Sequence, residues 1–217
     1  MILASGSPRR IQLLEEAGFS CIIRPADIDE TRLEGEAPLD LVLRLAKAKA
    51  QESYSHLSNE EKQDHTMLLA ADTIVWIDQH ILGKPHTKQD AKAMMELLGG
   101  KTHHVTTGAC IMAWNKDEDC PTIHSFTDTA DVQFYPLDNE LIDAYINTCE
   151  PYDKAGGYGI QGKARMLVKT ISGDYYNIVG LPIARCVREM QAMKNELQDE
   201  ISKDKISNSL LIRSLKG

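Results

Sequence analysis

The segment Ser5-Gly6-Ser7-Pro8-Arg9-Arg10 puts two hydroxyls, several free backbone N–H groups and two guanidiniums side by side. Ser7 suits an N-cap and Pro8 suits the first helical position, so these groups meet at a helix N-terminus. That is chemistry for an anion. Arg9 and Arg10 in a first turn oppose the helix macrodipole, by roughly 0.3–1 kcal/mol each when exposed. A bound phosphate reverses the sign of that term. Without a ligand, the same residues are a helix cap followed by two solvated arginines.

Asp72 is the second candidate. It interrupts the apolar run Leu68–Ile77, where an unpaired carboxylate is costly to bury. It reads as a metal ligand or a general base at a strand, or else as an Asp that bonds its own turn beside Thr73. Glu30, read alone, is an acid of a surface loop; with Asp72 it could hold a cation. Lys47 and Lys49 lie about 200° apart on a helix, so at most one of them faces a given cleft. Lys84 sits between Gly83 and Pro85, which constrain its backbone. Each lysine on its own also reads as a solvated surface residue.

The glycine-rich run Gly156–Gly162 contains two misleading matches. Gly157-x-Gly159-x-x-Gly162 fits a dinucleotide fingerprint but lacks the strand and βαβ setting that motif needs. Gly157 to Lys163 fits a P-loop, yet Ala164 replaces the hydroxyl residue that would hold magnesium, and Arg165–Val168 reads as a strand rather than a helix. What remains is a loop whose backbone can approach a ligand. Its Gln161 could offer a donor and an acceptor together to a base edge. The histidines, including His103-His104, have no HExxH spacing, so zinc is unsupported.

These groups need elements to hold them. Ile2–Ala4 reads as a short buried strand, followed by a helix that Gly18 ends. Phe19–Arg24 reads as a second strand. Pro38 opens a helix with Leu39, Val42, Leu43, Ala46 and Ala50 on one side. Residues 55–65 read as a loop. Thr87 caps a helix that ends before Gly99-Gly100. Val105–Trp114 and Thr122–Phe134 read as long strands joined by a hairpin at Asn115–Asp119. Leu137–Thr148 has helical period. Two short strands are expected around Ser172-Gly173-Asp174, and Pro182 opens a final helix that frays from about Lys194. The order is mixed α/β, α+β-like with hairpins, and not a doubly wound series.

The 217 residues carry 24 Lys+Arg against 32 Asp+Glu, a net charge of −8. That balance excludes a protein that grips duplex nucleic acid through a basic surface. It leaves room for a local pocket for a small anion. Five scattered cysteines without CxxC spacing suggest a reduced, cytoplasmic chain. No apolar run approaches the ~20 residues of a membrane span, and Met1–Ala4 is too short for a signal peptide.

Taken together, Ser5-x-Ser7-x-Arg9-Arg10, Ala71-Asp72-Thr73, Gly83-Lys84-Pro85 and Asp153–Gly162 resemble the Maf family of nucleoside triphosphate pyrophosphatases in order and spacing. The resemblance implies an inosine-triphosphatase-like fold with two lobes around a central cleft, formed by residues 1–190, with 191–217 a polar helical extension or tail. It implies a homodimer, and Mg²⁺- or Mn²⁺-dependent cleavage between the α and β phosphates. By position it makes Asp72 the proton acceptor. Arg9, Arg10, Lys49 and Lys84 contact phosphate, beside the hydroxyls of Ser5 and Ser7. Arg10, Thr73 and Gln161 are linked to base selection. The Ile-Gln-Gly form at Gln161 resembles the dTTP/UTP subgroup; the subgroup acting on 7-methyl-GTP has Phe-Glu-Gly there. Glu30 and Asp72 are the residues available for the metal. Whether Asp72 is ligand or base stays open. The expectation is therefore a dTTP/UTP pyrophosphatase of nucleotide house-cleaning, with a non-catalytic regulator of septum formation as the alternative.

Overall fold

A computed structural model describes residues 1–64, 66–115 and 120–214, with side chains as far as residue 199, Asp64 excepted. The elements run β1 (Ile2–Leu3), α1 (Pro8–Glu16), β2 (Ile22–Ile23), α2 (Pro38–Ser55), α3 (Asn59–Asp64), β3 (Met67–Ile77) and β4 (His80–Leu82). They continue with α4 (Lys88–Leu98), β5 (Thr102–Ala113), β6 (Thr122–Phe134), α5 (Asn139–Ile146), β7 (Val168–Ser172), α6 (Tyr175–Val179) and α7 (Ile183–Ser214). The architecture is the expected mixed α/β class.

One seven-stranded sheet has the order β2-β1-β3-β5-β6-β7, with β4 also on β3. β1 runs parallel to β2 and β3; the other pairings are antiparallel. β3, β5 and β6 are long because their residues are β-branched and apolar over most of their length. Alternation then sends successive side chains to opposite faces. Leu68, Ala70, Cys110 and Met112 pack under α2 with Ala46, Ala50 and Tyr54. Leu69, Ala71, Ala109 and Ile111 face the other way, against Leu13 and Leu14 of α1 and Met190 and Met193 of α7. A further core at the far end of the sheet joins Met95, Leu98, Tyr145, Phe134 and Tyr158.

Several expectations change. Residues 59–64 form α3 where a loop is expected. Its turn is anchored by Ser58, whose hydroxyl accepts from Glu61 N–H while Glu61 accepts from Ser58 N–H. Leu39, placed on the apolar side of α2, is 42% exposed, and Leu41 and Leu45 are buried in its stead. Lys163–Met166 is a single 3-10 turn and not a strand. Its shortness still sets it apart from the full helix that follows a P-loop. Asp174 caps the short helix α6 through Tyr176 N–H, so one strand, β7, precedes it where two strands are expected. α7 continues to Ser214, through the stretch expected to fray. Of the expected hairpin, residues 116–119 lie outside the described residues. No helix among the described residues is long and apolar enough to cross a membrane.

α2 crosses the sheet at Gly108. A Cβ there would run into the carbonyl oxygen of Val42, so the helix sits at backbone contact. Gly108→Ala must push α2 outward and is expected to destabilise by about 1–3 kcal/mol, as overpacking does. Urea denaturation measures this; an unchanged midpoint would mean that α2 lifts freely.

Candidate functional site

β3 has a gap on one edge. β1 pairs with Leu68 and Leu69, and β4 pairs with Val75–Ile77. The intervening residues 70–74 have no strand partner on that side among the described residues. The gap opens into a cleft of about 1100 Å³, lined from α1, α2, β3 and the 153–162 loop. Asp72 and Thr73 lie at its centre and, being consecutive in a strand, point to opposite faces of the sheet.

Asp72 stands opposite Gly108 in register, so its carboxylate projects on the α2 side. Lys49 comes from α2, two turns beyond Val42 on the same helix face. Its ammonium is 2.6 Å from Asp72 Oδ1 and also 2.6 Å from Glu30 Oε1. The Lys49 and Asp72 side chains are each 13% exposed, so solvent screens this pair less than a surface pair. Lys47 falls on another side of α2, beside Gln51 and Cys110, in a separate shallow depression. The 200° separation therefore chooses between the two lysines.

Thr73 projects to the other face and meets Arg10. Arg10 Nη2 donates to Thr73 Oγ1 at 2.9 Å, Nη1 to Ser5 Oγ at 3.1 Å, and Nε to Gly180 O at 2.8 Å. Three of the five guanidinium N–H groups are thus held by the cleft wall, which leaves two for a ligand. Burial draws Arg10 below the usual arginine pKa, and Asp72 opposes that shift. Thr73 Oγ1 also meets Thr107 Oγ1 at 2.9 Å. The amide of Asn177 in turn accepts from Thr107 N–H at 3.1 Å and donates to Val105 O at 2.8 Å. Ser5 does not line the cleft; its hydroxyl supports Arg10 and accepts from Ser7 N–H.

The remaining candidates occupy the rim. Ser7 is the N-cap of α1 but its side chain makes no capping bond. Arg9 lies 3.8 Å from Asp153, across the mouth. Lys84 and Gln161 are exposed in the cleft and have no hydrogen-bond partner among the described residues. The structure thus brings Ser7, Arg9, Arg10, Glu30, Lys49, Asp72, Thr73, Lys84 and Gln161 into one cleft. Sequence reasoning missed Asn177, which braces Thr73 through Thr107 from 104 positions away in the chain; nothing local marks it. It also missed Arg32, which lines the cleft and donates twice to Glu36 O.

Arg32 belongs to the loop that carries Glu30. Arg44 of α2 ties this loop down: it donates to both carboxylate oxygens of Glu36, at 2.6 and 2.9 Å, and to Thr31 O at 3.0 Å. Glu36 closes the turn by accepting from Leu33 N–H at 3.1 Å. The loop, which runs between β2 and α2, thereby holds Glu30 at 2.6 Å from Lys49.

The profile of the family described as Maf-like protein matches residues 1–193. The chain belongs to the Maf family. A Bacillus anthracis relative named dTTP/UTP pyrophosphatase is 48% identical over 191 residues, 88% of this chain and 94% of that protein. A Bacillus cytotoxicus relative of the same name is 46% identical over 190 residues, 88% of this chain and 93% of its own length. Among solved structures, the Staphylococcus aureus Ham1 protein aligns with a TM-score of 0.39 and 14% identity, covering 61% of this chain and 70% of that one. The cleft residues of this Maf-family chain all lie within the matched segment, and most of α7 lies beyond it.

Hydrogen bonding from Arg44 holds the Glu36 carboxyl down from 4.5 to about 2. A depressed carboxylate stabilises the fold above its unfolded pKa and loses that contribution as pH falls through the folded one. The brace on the Glu30 loop should therefore persist on acidification below 4.5 and fail near 2. The amide shift of Leu33 in NMR is expected to titrate with that low midpoint. A midpoint at the ordinary glutamate value would show that the Arg44 pairing does not hold in solution.

Proposed function

We propose that this chain is a nucleoside triphosphate pyrophosphatase that converts dTTP and UTP to the monophosphate and pyrophosphate. The observation that carries the proposal is the local reversal of charge. In a chain of net charge −8, Arg9, Arg10, Lys49 and Lys84 gather around Asp72 in one cleft of about 1100 Å³. That volume suits a nucleotide. The names of the Bacillus relatives, 46–48% identical over 88% of this chain, support the same substrates.

Hydrolysis of a phosphoanhydride needs its charge neutralised and a water aligned with the bond that breaks. Arg9, Lys84 and the two spare N–H groups of Arg10 supply positive charge, beside the N-terminus of α1. Water attacks the α-phosphorus, the bond to the bridging oxygen breaks, and pyrophosphate leaves with the electron pair. Asp72 accepts the water's proton in the base role, and Lys49 fixes the direction of its carboxylate. Two carboxylates are at hand to hold a metal, Glu30 and Asp72, and the described residues include no larger cluster of such ligands. The carboxylates of Glu30 and Asp72 already converge on one cation, the Lys49 ammonium. Magnesium takes one or two carboxylates and completes its shell with water and substrate phosphates. When bound, Mg²⁺ or Mn²⁺ would withdraw charge from the phosphate oxygens. In that arrangement Glu30 and Asp72 would hold it, and Asp72 would then serve either the metal or the proton.

Gln161 provides the base preference. Its amide can satisfy the O4 acceptor and the N3–H donor of thymine or uracil, and cytosine reverses that pattern. The proposal places the enzyme in the cytoplasm, where its five free cysteines stay reduced, and as a homodimer, which light scattering tests. The septum-regulator alternative has no supporting feature in the cleft or in the relatives' names.

Pyrophosphate release from a panel of triphosphates is expected to be highest with dTTP and UTP. Good turnover of another nucleotide with none of these two sinks the specificity. Asp72→Asn should lower kcat by about 10²–10⁴-fold while nucleotide binding persists. Retained turnover removes Asp72 from the mechanism. Chelation should abolish activity, and added Mg²⁺ or Mn²⁺ should restore it; full activity in chelator ends the metal proposal.

A further inference from the structure

Glu150 follows α5 and precedes the glycine-rich loop, and neither the fold nor the proposed chemistry accounts for it. A Cβ on Gly162 would run into its carboxylate, so that carboxylate lies directly on the loop backbone. Glu150 Oε2 accepts from Lys163 N–H at 2.6 Å and Oε1 accepts from Ala164 N–H at 3.1 Å. The hydroxyl of Tyr145 lies 3.2 Å from Glu150 Oε1 and 3.3 Å from Gly157 O. The loop is therefore pinned at its start by Tyr145 and at its end by Glu150, and the two pins touch. None of the ion pairs among the described residues includes the Glu150 carboxylate. Its charge is spent on backbone N–H groups and a phenol, which are charge-assisted and strong contacts.

Between the pins sits Gln161, exposed and with no hydrogen bond of its own among the described residues. Only the backbone fixes where its amide stands. An amide distinguishes uracil from cytosine when donor and acceptor are held in register with the base edge. Displaced by about an ångström, it can reach either base through water. We propose that Glu150 is a positioning residue for base selection, holding Gln161 at a fixed depth in the cleft. This rests on the reading of Gln161 as the base contact.

The test compares wild type, Glu150→Gln, Glu150→Ala, Gln161→Ala and the Glu150→Ala/Gln161→Ala double variant, with UTP and CTP as substrates. Glutamine keeps the shape but can accept only one of the two N–H bonds cleanly, so Glu150→Gln covers the case in which alanine does not fold. The expected result is a fall in the UTP/CTP ratio of kcat/KM, on the order of tenfold, for each Glu150 variant. The change should lie in KM for UTP, with kcat nearly kept. The double variant should be no less selective than Gln161→Ala alone, because residues that act through one another are not additive. Equal losses on UTP and CTP, or additive losses in the double variant, overturn the proposal. If Gln161→Ala relaxes the ratio and Glu150→Gln does not, the proposal alone falls. If Gln161→Ala leaves the ratio unchanged, the base-contact reading falls and takes the proposal with it.

Discussion

The contact between α2 and the sheet at Gly108 is the constraint on which the site depends. With no Cβ between them, the Val42 backbone rests on β5 opposite Asp72. That height brings Lys49 within 2.6 Å of both Asp72 and Glu30. A helix carried higher would stretch the Lys49–Asp72 pair, whose side chains are each 13% exposed. In a partly buried setting, unpaired charge is costly. The same helix holds the Glu30 loop through Arg44, so one element sets two of the charged positions, Lys49 and Glu30.

The sheet adds a second constraint through its pleat. Asp72 and Thr73 are neighbours in sequence but belong to different faces. One faces the ammonium of α2; the other faces Arg10, which also touches Ser5 and Gly180. The cleft is reached only because β1 and β4 leave residues 70–74 of β3 unpaired on one edge. That gap lets one strand serve both walls of a site.

Arg10 and Gln161 show two ways of preparing a side chain for a ligand. Arg10 is braced directly, with three N–H groups bound to the wall, so its remaining donors point in fixed directions. Gln161 carries no side-chain brace among the described residues, and the loop backbone beneath it is held instead by Tyr145 and Glu150. Both arrangements reduce the freedom lost on binding. They differ in what a substitution disturbs: the side chain in one case, the backbone register in the other.

Much of the site was legible in the sequence, because the residues that do the chemistry are unusual for their local settings. Arginines in a first helical turn, an aspartate in an apolar strand and a lysine between glycine and proline each break a local rule, and such breaks gather at functional sites. The long strands and the capped helices were legible through period and cap residues. The short 3-10 turn at Lys163–Met166 and the exposure of Leu39 were not: Glu150 binds the first N–H groups of that turn from 13 residues away, and packing against the sheet chooses which leucines of α2 are buried. Helical spacing left Lys47 and Lys49 open and the family resemblance pointed to Lys49, but nothing in the sequence showed that Asn177 supports Thr73 or that Glu150 lies on Gly162. By itself the sequence determined the family, the mixed α/β class and the residue types of the site. Tertiary structure alone decided which of them meet, because packing between distant segments sets distances that no local pattern encodes.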